Sequence, residues 1–345
     1  MALTFTGLMR QSAFFPVTER SQAGDARRQA VIWAEQHGCS KELQSQLALV
    51  VTELAGNLVL HTREGGCIVL NLVDGRGADA VEVLSLDKGP GSANFGACLQ
   101  DGYSTAGTAG IGLGAVKRAA ELFEVHSQPG IGTALLCVIS CKPAALKTPH
   151  QFGMVNVPIK GEQVCGDAGA PLDLGEGRVR LLLADGLGHG PNAAEASRTA
   201  ISVFAAEPKL DLISLLEKIH DALRATRGAA VAVAEVDVSQ GKLRYAGVGN
   251  IAGYIVQGAS ADSTHLVSMN GTLGAVKSRI QEFSYPWTED SLLVMTSDGI
   301  KNHWRLDRYV GVAHRHPALI AGLLYRDQAR TTDDTTVATL RFSIT

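Results

Sequence analysis

LLLADGLGHG, residues 181–190, sets an aspartate and a glycine at the end of an apolar, strand-like run, and that placement recurs. Asp167 stands in VCGDAG (164–169), Asp298 in LLVMTSDGI (292–300) and Asp333 in TTDDTTVATL (331–340), each following or bordering an apolar β-type run. One Asp-Gly is more often a surface turn than a ligand. Four aspartates placed alike argue for a shared oxygen-donor site. Hard divalent cations take carboxylate oxygens, and a set with little His or Cys favours magnesium or manganese over zinc. Two such ions sharing a carboxylate ionise a bridging water near neutral pH and clamp a phosphate for in-line attack, so the pattern points to phosphoester hydrolysis. His189, four residues after Asp185, either donates a proton to the leaving group or holds a Gly-His-Gly turn. Asn250, in GVGNIAGYI, reads as structural. Sequence assigns no arginine to a phosphate clamp.

Around these aspartates the second half alternates β-rich runs (Val179 to Leu183, Ala230 to Val238, Lys242 to Val248, Leu292 to Thr296) with helices. In the run from Asp211 to Arg227, Leu212, Leu215, Leu216, Ile219 and Leu223 recur at three and four residues, as one buried helical stripe requires. KPAALKTPH (Lys142 to His150) has two prolines and no periodicity, which fits a linker. The first half is again α+β: a helix from Asp25 to His37, a second capped by Ser40 and running to about His61, and strands at Cys67 to Val73 and Ala80 to Leu86. A helix over Gly114 to Phe123 and a strand in GTALLCVIS follow.

On the second helix Leu43, Leu47, Val50, Leu54 and Leu58 share an arc of about 80° at ~100° per residue. Asn57 and His61 fall in or beside that arc, with Glu53 at its edge. Polar groups turned toward a core need partners, so Asn57 and His61 either bridge neighbouring backbone or serve a ligand. Asp87 opens DKGPG, where Gly89 and Gly91 admit close backbone approach and the carboxylate can accept from an exocyclic amine. Gly110, Gly112 and Gly114 immediately precede a helix, whose first amides suit phosphate. A Rossmann reading fails, because no strand directly precedes these glycines and no βαβ unit surrounds them.

A chain of 345 residues accommodates two ordinary domains, and 46% apolar against 19% charged residues gives no reason to expect long disorder. The net charge of -3 without a basic run argues against nucleic acid as a partner. No run approaches the roughly 18 apolar residues of a membrane span, so a cytoplasmic location without a membrane partner is expected. The six cysteines, scattered without a CxxC pair, read as reduced packing residues.

In order, ELAGN, DKGPG, GIGLG and GIGT resemble the GHKL ATP-binding fold of histidine kinases, gyrase-type ATPases and anti-sigma serine kinases; DGYST and KRAAELFEV are most similar to the small switch kinases. The resemblance implies an N-terminal α/β sandwich over residues 1–141 that binds ATP and Mg2+. Glu53 would be base, Asn57 metal ligand, Asp87 adenine reader, Gly110 to Gly114 the phosphate lid, with Gly89, Gly91 and Thr133 in the nucleotide pocket. Over about residues 150 to 345, GD, ADGLGHG, SDG and DDTTV resemble protein phosphatase 2C, especially its SpoIIE-type bacterial branch. That implies a C-terminal α-β-β-α domain over 151–345 holding two Mn2+ or Mg2+. Asp185 would bridge them with the Gly186 carbonyl, Asp298 and Asp333 would complete one shell, Asp167 the other, and Asp334 would stand behind. By these resemblances the chain is a regulator that phosphorylates and dephosphorylates a STAS-domain antagonist, with release or capture of a sigma factor as output and a homo-oligomer among the partner options. The alternatives are a nucleotide-gated clamp or an ATP sensor fused to the phosphatase.

Overall fold

The computed structural model describes residues 11–73, 77–96, 112–142, 150–258, 262–275 and 279–342. It divides into two compact units, Ser12–Lys147 and Thr148–Thr345 with Met1–Gln11.

The front unit is a five-stranded antiparallel sheet in the order β1-β2-β3-β5-β4, built from Ala13–Val17, Gly66–Val73, Gly77–Asp87, Leu122–Gln128 (β4) and Gly132–Ser140 (β5). Helices α1 (Arg20–Gln36), α2 (Lys41–His61) and α3 (Gly112–Ala119) pack on one face. The Ser40 hydroxyl accepts from the Leu43 amide at 3.2 Å, satisfying one of the donors a helix start leaves open. Leu43, Leu47, Val50, Leu54 and Leu58 of α2 are buried against Ile68, Leu70, Val83 and Cys137. By length and composition α2 could cross a membrane, but here its apolar face covers the sheet.

Two boundaries and one side chain of this unit differ from the sequence reading. Helix α1 starts at Arg20, five residues before Asp25, because the Gln22 side chain folds back to accept from the Thr18 amide and hydroxyl. The third helix stops at Ala119; Leu122 and Phe123, expected as helix, pair with Val138 and Cys137 as the start of β4. His61, expected beside the buried arc, is exposed in the last turn of α2.

The rear unit stacks two five-stranded antiparallel sheets. One has the order β13-β10-β9-β8-β7 and the other β12-β11-β14-β15-β6. Their strands are β6 (His150–Val157), β7 (Asp167–Gly175), β8 (Arg178–Gly186), β9 (Ala229–Asp237), β10 (Lys242–Val248), β11 (Ala252–Gln257), β12 (Asp262–Leu266), β13 (Glu282–Pro286), β14 (Ser291–Thr296) and β15 (Thr335–Phe342). Leu181, Leu183, Ala232 and Tyr245 meet Ile255, Leu293, Met295 and Leu340 between the sheets. On the outer face of the first sheet, Leu182, Ala184, Val231 and Val233 pack on α4 (Pro191–Ala206) and α5 (Leu212–Leu223). Helix α6 (Pro317–Gln328) lies on the second, which completes an α-β-β-α stack. Because β8 is covered on both faces, LLLA is a continuous apolar run rather than an alternating one. Helix α5 ends at Leu223, short of the expected Arg227: the Thr226 amide and hydroxyl both donate to the Leu223 carbonyl and close the helix.

Candidate functional sites

In the rear unit, Asp167 begins β7 and Asp185 nearly ends β8, and the hairpin register sets them directly opposite each other. Asp298 follows β14 and Asp333 precedes β15, and those two strands also pair. Asp167, Asp185, Asp298 and Asp333 therefore converge from four strand ends. Asp185, Asp298 and Asp333 line a cavity of about 530 Å³ with Asn250, Asn270 and Thr272. The Asn250 amide donates to Asp298 Oδ2 at 2.7 Å, a role its sequence context did not disclose.

The electrostatics mark these acids as a strained set. Burial, then repulsion from Asp167, Asp298 and Asp333, pushes Asp185 up to about 9. Asp167 rises to about 7, chiefly through burial; hydrogen bonds from Ser297 and Thr336 oppose the rise, and Asp334 and Asp298 add to it. Asp298 is raised by burial and by Asp333, against the pull of Arg330 and Asn250. Oδ2 of Asp167 is buried with no hydrogen-bond partner, a costly state for a carboxylate oxygen.

An oxygen-binding cation fits this observation, since it would take up the orphaned oxygen and neutralise the repulsion. Among the described residues no three His, Cys, Asp or Glu side chains already stand as a cage for one ion. Magnesium ordinarily keeps several waters and takes only one or two carboxylates, so an uncaged set of paired acids suits it. Gly186 sits where a Cβ would lie 2.0 Å from the Ala193 carbonyl oxygen, so no side chain can separate the end of β8 from α4. Asp334 accepts from the Ile159 amide at 2.7 Å and the Gly166 amide at 2.8 Å, holding the chain ahead of Asp167. Nδ1 of His189 contacts Glu162 Oε1 at 2.8 Å.

In the front unit, Glu53 and Asn57 lie one turn apart on α2. The Asn57 side chain makes no hydrogen bond among the described residues, and its Nδ2 is buried. A Cβ on Gly112 would lie 2.4 Å from Glu53 Oε2, so the first residue of α3 abuts that carboxylate. Gly114 is buried within α3; Gly110 lies outside the described residues. Asp87 ends β3, and its Oδ1 accepts from the Gly89 amide at 2.7 Å and the Thr133 amide at 3.2 Å. Gly91 serves a different contact from the ligand approach expected of it: a Cβ there would meet the Gln128 carbonyl oxygen at 2.1 Å, so the glycine admits neighbouring backbone. An uncommitted amide and a carboxylate on α2 thus stand with the start of α3 beside the carboxylate, and an anionic nucleotide with its Mg2+ fits that donor set.

Comparison with known proteins agrees with both halves. Residues 15–139 match the histidine kinase-like ATPase domain, and residues 175–343 match Stage II sporulation protein E (SpoIIE). Serine/threonine-protein kinase RsbT of Bacillus subtilis (strain 168) is 32% identical over 95 residues, 28% of this chain and 71% of RsbT. Phosphoserine phosphatase RsbX of the same organism is 23% identical over 141 residues, 41% of this chain and 70% of RsbX. A solved chain described under "The bacterial stressosome: a modular system that has been adapted to control secondary messenger signaling" superposes with a TM-score of 0.51 and 29% identity, covering 56% of this chain and 100% of its own. The crystal structure of RsbX in complex with magnesium has the same fold: TM-score 0.50, 19% identity, covering 58% of this chain and 99% of RsbX.

Proposed function

We infer, from a chain that belongs through residues 15–139 to the histidine kinase-like ATPase family and through residues 175–343 to the SpoIIE family of PP2C-type phosphatases, that it is a cytoplasmic partner-switching regulator acting on one partner's serine or threonine in both directions. The front unit, Ser12–Lys147, transfers phosphate from ATP, and the rear unit, Thr148–Thr345 with Met1–Gln11, removes it. The partner is a STAS-domain antagonist that governs a sigma factor or another downstream regulator. The observation carrying this reading is the opposition of Asp167 and Asp185 across one hairpin, with a buried carboxylate oxygen left unpartnered.

In the rear site Asp185, the Gly186 carbonyl, Asp167, Asp298 and Asp333 would hold two Mn2+ or Mg2+. When bound, these ions supply a hydroxide near neutral pH and neutralise phosphate charge. The chain itself fixes the geometry: Asn250 orients Asp298, and Asp334 pins the loop before Asp167 through two amides. In the front site Asn57 would hold Mg2+, Asp87 with Gly89 and Thr133 would receive adenine, and Gly110, Gly112 and Gly114 would cover the phosphates. Glu53 accepts the proton of the attacking hydroxyl. Phosphoryl transfer is mostly positioning and charge neutralisation, so these groups suffice.

The test is a time course with a purified STAS partner, [γ-32P]ATP and Mn2+, following phosphate on the partner in wild type, Glu53→Ala and Asp185→Ala. Label should rise and then fall in wild type, stay absent in Glu53→Ala and persist in Asp185→Ala. Tight partner binding without label in any of the three would establish the nucleotide-gated clamp instead.

A further inference from the structure

The rear cavity has no cation among its lining residues, although its proposed substrate carries a phosphate of about −2 charge. Arg330 acts on Asp298 from outside that lining, and a second guanidinium, Arg227, stands at the Gly188 edge. Arg227 is exposed and makes no hydrogen bond or ion pair among the described residues, whereas Arg224, three residues earlier, is paired with Asp221 at 3.2 Å. A Cβ placed on Gly188 would lie 3.1 Å from Arg227 Nη1, and Gly188 itself lines the cavity two residues after Gly186. The guanidinium Nη1 therefore lies close to the loop that leaves Asp185, in space a side chain at 188 would take.

Its backbone is fixed there. The Leu187 amide donates to the Gly228 carbonyl at 3.0 Å, the Gly228 amide donates to Thr226 Oγ1 at 3.1 Å, and Ala229 exchanges both backbone bonds with Leu273. Leu273 follows Thr272, which also lines the cavity. The turn carrying Arg227 is thus tied to two segments of the cavity lining, and among the described residues its side chain makes no contact that holds it. Arginine's planar fork matches two phosphate oxygens at once, and ion-paired hydrogen bonds of this kind are about twice as strong as neutral ones.

We propose that Arg227 binds the phosphoryl group of the phosphoserine substrate at the Gly188 edge of the rear cavity, as the chain's own cationic contact to the phosphate. This rests on the hydrolytic reading of the rear unit and assigns its phosphate-recognising side chain. Because Arg227 is exposed and unpaired, its replacement leaves the fold intact.

The experiment titrates inorganic phosphate into the Mn2+-loaded full chain by calorimetry, for wild type, Arg227→Ala and Arg227→Lys, with Mn2+ affinity measured separately for each. Loss of a bidentate charged contact should weaken phosphate by about fivefold or more in Arg227→Ala, with partial recovery in Arg227→Lys and unchanged Mn2+ affinity. KM for a phosphoserine peptide should rise in parallel. A smaller change in phosphate affinity, an equal loss of Mn2+ binding, or a wild type that binds no phosphate overturns the assignment. If phosphate binding depends on Arg227 but no phosphopeptide is hydrolysed, the assignment stands and the hydrolytic reading fails.

Discussion

Replacing Asp185 with asparagine should make the metal-free protein more stable while destroying its response to metal. Asp185 is held at about 9 in the fold against an ordinary 3.8, because it is buried and faces three other carboxylates. A raised carboxyl contributes its full stability below the ordinary value, and that contribution is lost as pH climbs toward the folded value. Between 3.8 and pH 7 the folded chain keeps a proton that the unfolded chain sheds, at ~1.4 kcal/mol per pH unit, or on the order of 4 kcal/mol at pH 7. Asparagine has nearly the same shape and no charge, so Asp185→Asn should recover a large part of that cost. Scanning calorimetry of the full chain at pH 7 in chelator measures it; the rear transition is the one that Mn2+ shifts in wild type. The variant should unfold several degrees above wild type in chelator, with the gap narrowing toward pH 4. Saturating Mn2+ should raise wild type by about 2.7 kcal/mol at a hundredfold excess over Kd and leave the variant unmoved. A variant that melts below wild type in chelator, or that gains as much from Mn2+, would refute the reasoning.

His316 caps α6 through Nδ1, which accepts from the Ala318 amide, and burial followed by the nearby Arg341 lowers it to about 4 from 6.5. Its contribution is complete above pH 6.5 and fades as pH falls toward 4, on the order of 3 kcal/mol in total; urea unfolding of His316→Asn, which keeps a capping side chain, should show a flatter acid limb. Gly186→Ala should unfold several degrees early and lose phosphatase activity, because its Cβ would lie 2.0 Å from the Ala193 carbonyl and α4 must shift; a wild-type melting curve would contradict this contact. Leu216→Ala, fully buried between α5 and the first sheet, should cost about 2–5 kcal/mol by denaturant titration while leaving Mn2+ affinity unchanged.

What the sequence discloses and what it hides follow from local against long-range information. The four aspartates are visible because each follows or borders an apolar run, a property a few residues carry. Their pairing is not: Asp167 faces Asp185 only because Asp167–Gly175 is a strand, and that segment holds Gly169 and Pro171 in its interior, which argue against a strand. Pro171 is tolerated because β7 is the edge of its sheet, a fact of topology. Helices α4 and α6 escaped notice because α6 is buried on nearly every side from Pro317 to Leu324, which erases the polar half of the helical pattern. Asn57 announced itself by lying in an apolar arc, yet His61, one turn on, is exposed, since helical phase does not say where the covering layer ends. Arg227 left no trace at all, as its meaning depends on Gly188 passing beneath it.

The most direct trial of the whole account is anomalous diffraction at the manganese edge from crystals of the full chain grown with Mn2+. Two peaks about 3.5–4 Å apart are predicted, both touching Asp185, with Asp167 on one and Asp298 and Asp333 on the other. Manganese bound elsewhere while these carboxylates stay protonated against one another would contradict it.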